Sequence, residues 1–129
     1  MNKQQLAVDT FLNNFNCAQA IVSAFGPDLN LSRENSLKLA TGLGAGLNYN
    51  GKTCGAVLGA FIILGLRYGI NEASDQEGKQ RVREKLDRYT QHFKKEFRSI
   101  ECNDLLNADI SNPEELPISM TVDWVRLYQ

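Results

Sequence analysis

The chain has 129 residues, 43% of them hydrophobic and 22% charged, with a formal net charge of -1 at pH 7. That length favours one domain, and that apolar content is enough for a real core. The near-neutral balance excludes bulk attraction to nucleic acid or to an anionic membrane.

The opening residues, MNKQQLAVDT, hold no apolar stretch of the kind a secretory signal needs. Ala7, Phe11 and Phe15 recur every four residues and define one face of a first helix. Asn16 is placed to cap a second helix, Cys17 to Phe25, whose stripe is Ala18, Ile21, Val22 and Phe25 and whose stop is Gly26-Pro27. Ser32 caps a short third helix through Leu37 and Ala40. The stretch TGLGAGLNYNG, Thr41 to Gly51, carries four glycines and reads as a loop. Thr53 is the expected cap of the apolar helix that ends near Tyr68-Gly69. From Cys54 to Leu66 that run has 13 residues before Arg67, short of the roughly 18–20 that span a bilayer. A long amphipathic helix follows, about Glu72 to Phe97, with Val82, Leu86, Tyr89, Phe93 and Phe97 on its apolar stripe. Ser99 is the expected cap of a short helix holding Cys102 and Leu105-Leu106. Ile118, Met120, Val122, Trp124 and Val125 fit a strand or a helix. With no other strand to pair with, helix is the reading taken. The pattern predicts an all-α, single-domain irregular bundle of five to six helices, with a glycine-rich loop before a central apolar helix.

Gly46 to Thr53, GLNYNGKT, satisfies G-x-x-x-x-G-K-[ST]. A phosphate-binding loop needs a buried parallel strand feeding it. SLKLATGLGAG has no β-branched run, so the glycines are read as a turn and Lys52-Thr53 as the opening of a helix.

The chemistry rests on Cys17, Cys54 and Cys102. An odd cysteine count does not suit a secreted disulfide framework, which points to a cytoplasmic protein. All three stand at predicted helix starts, where unpaired N–H groups and the helix dipole favour thiolate. Gly55 and Gly59, one turn apart with Ala56 and Ala60, form a small-residue face that lets another helix or the preceding loop approach Cys54. Two chemistries follow. The first is reversible thiol–disulfide exchange between two of the three sulfurs, with Cys54 central and no cofactor required. The second is metal or iron–sulfur binding by Cys17, Cys54 and Cys102. A third reading leaves the cysteines buried in a helical interaction module. His92, the single histidine, sits beside the Tyr89–Phe93 stripe and reads as a packing residue rather than a ligand. Asp104 suits a first-turn helix acid as well as an orienting group.

Several segments, in order, carry a resemblance. They are Asn16-Cys17-Ala18-Gln19-Ala20, Thr53-Cys54-Gly55-Ala56-Val57-Leu58-Gly59-Ala60, Leu64-Gly65-Leu66-Arg67-Tyr68-Gly69 and Cys102-Asn103-Asp104-Leu105-Leu106. Together with the glycine loop they resemble the C_GCAxxG_C_C family over roughly Phe15 to Leu106. The resemblance implies a small helical, cytoplasmic bacterial or archaeal protein with a redox or metal role. The pattern places that role on Cys17, Cys54 and Cys102. With the thiol reading of the residues, the expectation is a thiol–disulfide oxidoreductase with an unidentified redox partner protein, and a homo-oligomer. The chain departs from the family's pattern at its fourth cysteine. PEELPISMTVDWVRLYQ has none, and Ser119 and Met120 stand near where one is expected.

Overall fold

The computed structural model describes residues 2–111. The expected C-terminal helix around Ile118–Val125 lies outside the described residues. Helices α1 (Lys3–Leu12), α2 (Cys17–Phe25), α3 (Arg33–Leu39), α4 (Gly44–Leu47), α5 (Gly55–Tyr68), α6 (Gln76–Phe97) and α7 (Cys102–Leu106) follow one another, with 3-10 turns at Gly26–Leu29 and Thr41–Leu43. Five of them are seven residues or longer; α4 and α7 are single turns. Among the described residues there is no strand beyond an isolated antiparallel bridge, Thr53 to Glu101. The all-α bundle read from periodicity is the fold observed.

Helix α2 is the hub. It packs against α1, α3 and α5, and α5 in turn packs on α6. Nearly all of α2 is buried: Cys17 through Ala20 and Val22 through Ala24 are covered. Its entry is set by a capping box. The Asn16 side chain accepts from the Gln19 N–H at 2.8 Å, and the Gln19 side chain accepts from the Asn16 N–H at 2.9 Å. The same two side chains reach across to the end of α3 and the turn after it. Asn16 Nδ2 donates to the Thr41 carbonyl at 2.9 Å, and Gln19 Nε2 donates to the Leu37 carbonyl at 2.9 Å. The cap of α2 therefore also pins the start of the glycine-rich stretch.

Helix α5 shows why its sequence is so rich in small residues. Its first half, Gly55 to Val57 and Gly59, is buried. A Cβ at Gly59 would stand 3.0 Å from Ile21 Cβ and 3.3 Å from the Ala18 carbonyl, so glycine is what lets α2 and α5 meet. Its second half is half-buried to exposed, ending with Leu66 at 46% exposure. Helix α6 lays Tyr89, Phe93 and Phe97 towards the core, with Phe93 and Phe97 ring centroids 4.7 Å apart. It begins at Gln76, four residues later than periodicity suggests, because the Asp75 carboxylate caps it by accepting from the Gly78 N–H at 2.8 Å.

Between α3 and α5 the chain does something that amino-acid patterning does not reveal. Ala45, Gly46, Leu47, Asn48 and Tyr49 take φ of 52°, 71°, 66°, 53° and 64° in succession. This is a left-handed turn. Such backbone costs roughly 1–2 kcal/mol per L-residue and persists where its surroundings over-determine it. Here Lys52 N–H donates to the Gly46 carbonyl at 3.0 Å, and Gly51 N–H donates to the Ala45 carbonyl at 3.3 Å.

Candidate thiol cluster

Each cysteine occupies a helix start. Cys17 is the first residue of α2, Cys54 is the N-cap of α5, and Cys102 is the first residue of α7. Two of these differ in detail from expectation. Thr53 pairs with Glu101 in the bridge, so the cap position passes to Cys54 itself. Ser99 does not cap α7. Its Oγ accepts from the Glu101 N–H at 3.0 Å and donates to Asp104 Oδ2 at 2.9 Å, a turn that leads into the helix one step earlier.

The bridge is what brings Cys54 and Cys102 together. Cys54 N–H donates to the Ile100 carbonyl at 2.6 Å, and Cys102 N–H donates to the Lys52 carbonyl at 2.6 Å. Residues 52 and 54 of one segment and 100 and 102 of the other then point to the same side of the ribbon. That puts the two thiols on one face, in diagonal register. Asn103 extends the tie, its N–H donating to the Gly51 carbonyl at 3.2 Å and its Oδ1 accepting from the Ile110 N–H at 2.9 Å. Cys17 arrives from the other direction. A Cβ placed on Gly55 would collide with Cys17 Sγ, with the Leu43 carbonyl at 3.0 Å and the Ala18 N–H at 3.2 Å. The sulfur therefore rests on the bare Cα of the residue after Cys54. All three cysteines belong to one buried cluster with Ala45, Ala56, Val57, Phe93, Leu106 and Ile110. No disulfide joins any two of them.

Residues 15–122 match the model of the family described as "Putative redox-active protein (C_GCAxxG_C_C)". The chain belongs to the C_GCAxxG_C_C family. Comparison with curated proteins and with solved structures found no match.

The electrostatics of this C_GCAxxG_C_C cluster reverse the expectation that a helix start makes the thiols acidic. Burial pushes the Cys54 thiol far up, and the neighbouring Cys17 pushes it further. The Ala56 and Val57 amides, the helix-start donors expected to stabilise a thiolate, pull the other way and lose. Cys102 is pushed up to about 12, first by burial, then by Cys17 and Glu101. Desolvation outweighs the helix terminus when the sulfur is sealed from water. Both groups are protonated thiols at neutral pH. Tyr89 feels the same centre from α6, its phenol pushed up to about 12 by burial and then by Cys54. Sequence reasoning placed Tyr89 only on a packing stripe. Its adjacency to Cys54 comes from the crossing of α5 and α6, for which a single sequence carries no local signal.

The metal reading of Cys17, Cys54 and Cys102 does not fit. Among the described residues no group of three or more His, Cys, Asp or Glu side chains is arranged to hold a metal ion. His92 is exposed on α6 beside Phe93. The nucleotide-like signature at Gly46–Thr53 is a turn, as expected. It follows the left-handed backbone rather than a strand, and the amides of Tyr49, Asn50, Gly51 and Lys52 donate to carbonyls of the same stretch. A phosphate cradle needs such amides turned outwards.

Among the described residues two openings border the cluster, one of them of about 380 Å³ at Ala56, Tyr89 and Phe93. The other, a cleft of about 460 Å³, is walled by Phe11, Phe15, Asn16, Cys17, Thr41, Asn48 and Tyr49 among others. Cys17 lines it but is itself only 2% exposed, with its sulfur turned towards Gly55. Among the described residues no helix is long and apolar enough to cross a membrane.

Proposed function

We propose that this protein is a thiol–disulfide redox protein of the reducing cytoplasm, in which Cys54 is the central sulfur and Cys17 or Cys102 its exchange partner. The observation that carries this reading is the convergence of three cysteines, 37 and 48 positions apart in sequence (17 to 54, 54 to 102), into one buried cluster at three helix starts. Ordinary packing does not require sulfur at each of these positions, and the Gly55 seat accommodates Cys17 with no room for a side chain between them. Membership of a family described as redox-active supports the same chemistry. Two thiols forming a disulfide release two protons and two electrons, which a disulfide acceptor takes up as its own S–S bond opens into two thiols. The raised thiols of Cys54 and Cys102 keep the reduced state protonated and unreactive until an acceptor engages the cluster.

The test is a thiol count across dithiothreitol redox buffers. The expected result is loss of two thiols per chain in one reversible two-electron step. A count that stays at three, with no disulfide or sulfenic product, would remove the proposal. A second reading is favoured by the complete burial of Cys54 and Cys102, each 0% exposed: the sulfurs are packing residues only. That reading expects the same buffers to leave all three thiols unchanged.

A further inference from the structure

The opening at Ala56, Tyr89 and Phe93 is a slot between helices. Helix α1 packs on α2, and α6 packs on α5. The slot is the space between these two pairs, about 380 Å³ lined by residues of all four helices. Its floor is small and dry: Ala7 is 2%, Ala56 5% and Phe93 7% exposed. The α6 wall carries three rings at spacings of four, Tyr89, Phe93 and Phe97, and Phe25 adds a fourth from α2. Successive centroids on α6 lie 6.1 and 4.7 Å apart, with the rings tilted by 32° and 52°. Rings tilted in this way do not cover one another's faces. At the rim stand the Glu96 carboxylate and the His92 imidazole, one turn apart and both exposed. Alanine at positions 7 and 56 is what leaves the room, since interiors otherwise pack to high density. An apolar cavity of roughly 150 Å³ already admits a benzene-sized guest, so the slot holds a ring with a substituent.

We propose that the slot binds a small organic cation, an ammonium group carried on an apolar body. Two features select the charge. Aromatic faces carry negative potential and attract a cation held within about 6 Å of the ring centre. The Glu96 carboxylate adds charge complementarity at the rim. The chain makes the same pairing on its own surface, where Lys85 Nζ lies 4.9 Å and the Arg67 guanidinium carbon 5.5 Å from the Tyr68 ring centre. In the slot the ammonium belongs over Phe93 and Phe97 beside Glu96, with its apolar body against Ala7, Ile21 and Ala56. His92 shares the rim; a neutral imidazole offers one donor and one acceptor there and does not oppose the charge. The site is separate from the thiol chemistry. It shares Ala56 and Phe93 with the cluster that holds the sulfurs, but its own lining is rings, alanines and polar rim groups.

The experiment titrates the full chain at pH 8 with three probes that share a benzyl body: benzyltrimethylammonium, benzyl alcohol and phenylacetate. Affinity and location are both read from NMR shifts of the alanine methyls. The expected result is saturable movement of the Ala7 and Ala56 signals, with the cation bound at least about fivefold more tightly than the alcohol, a ratio worth about 1 kcal/mol, and phenylacetate bound weakest. Phe97→Leu keeps an apolar side chain and removes one ring, and is expected to cut the lead of the cation by at least about twofold while leaving benzyl alcohol unchanged. Glu96→Gln changes only an exposed carboxylate and is expected to narrow the gap between the cation and phenylacetate. It decides the matter alone if Phe97→Leu does not fold. Equal affinity for cation and alcohol, tighter binding of phenylacetate, an unchanged preference in the variants, movement confined to signals away from Ala7 and Ala56, or no saturable binding of any probe would overturn the proposal. None of these outcomes bears on the redox reading, which the thiol count tests.

Discussion

Gly55 shows how much a single missing methyl group decides. It precedes the buried turns of α5, and its empty face is where Cys17 Sγ, the Leu43 carbonyl and the Ala18 amide converge. Two of these three neighbours are backbone atoms that cannot swing aside. Gly55→Ala is therefore expected to destabilise the fold by about 1–3 kcal/mol, the usual cost of overpacking a filled site. Gly65, ten residues on in the same helix, has no atom within 4 Å of where a Cβ would lie. There Ala gains helix propensity without a clash, and Gly65→Ala is expected to stabilise by up to about 1 kcal/mol. Urea denaturation of the two variants reads both signs in one assay. If both shift the midpoint alike, the close seat of Cys17 is not what glycine is for. The sequence already made this seat legible in part. Gly55 and Gly59 lie one turn apart beside a cysteine, which announces close approach. That α2 is the element that approaches, with Cys17 as the contact, depends on tertiary packing and has no local signature.

Among the elements, α2, α5 and α6 were readable because burial imposes a 3.6-residue period on their side chains. Asn16 and Ser32 were readable as caps because orphan N–H groups demand an acceptor there. The elements that failed to announce themselves are the ones whose hydrogen bonds go to distant partners. Thr53 looks like a cap and is instead paired with Glu101, since nothing in the order of residues marks a two-residue bridge spanning nearly fifty positions. Ser99 likewise serves a turn. The glycine-rich stretch reads as a loop, yet it holds the 3-10 turn Thr41–Leu43 and the single turn α4, and its left-handed course was hidden: Ala45, Leu47 and Tyr49 are not residues that favour positive φ. That course has a consequence. Leu47 is at φ 66° and 38% exposed, so Leu47→Gly removes an αL penalty of about 1–2 kcal/mol but also the buried part of the side chain, and it adds entropy to the unfolded chain. These effects offset, and the variant is expected to stay within about 1 kcal/mol of the parent. Gly46→Ala is expected to destabilise clearly, because a Cβ there meets the backbone of Gly51 and Lys52. Thermal denaturation should place Gly46→Ala well below Leu47→Gly. The reverse order would mean the turn is not left-handed in solution.

For the molecule as a whole, the buried thiols tie stability to alkaline pH with a definite sign. Cys102 titrates at about 12 in the fold, against 9.0 for an ordinary thiol, and Cys54 is raised as well. Tyr89 adds the same sense, about 12 against 10.0. These groups are neutral when protonated and charged when not. Between the unfolded and folded pKa values the folded chain therefore holds more protons than the unfolded one, and stability falls as pH rises. The stability is fully present below pH 9 and is lost progressively from about 9 towards 12. Each proton contributes a limiting slope of about 1.4 kcal/mol per pH unit. Denaturant midpoints from pH 7 to 10.5 are expected to decline above about 9, and less steeply in Cys102→Ala. Equal slopes would mean that Cys102 is solvated.

The claim beneath all of this is that three sulfurs distant in sequence share one place. Trypsin cuts after Lys3, Arg33, Lys52, Arg67, Arg98 and Arg126, so Cys17, Cys54 and Cys102 fall on separate peptides. Mapping the disulfide that forms when dilute protein is oxidised with diamide therefore reports their proximity directly. The expected product is a monomer in which the peptide of residues 53–67 is joined to that of 4–33 or 99–126. Oxidation that yields only links between chains, or no link involving Cys54, would contradict the account.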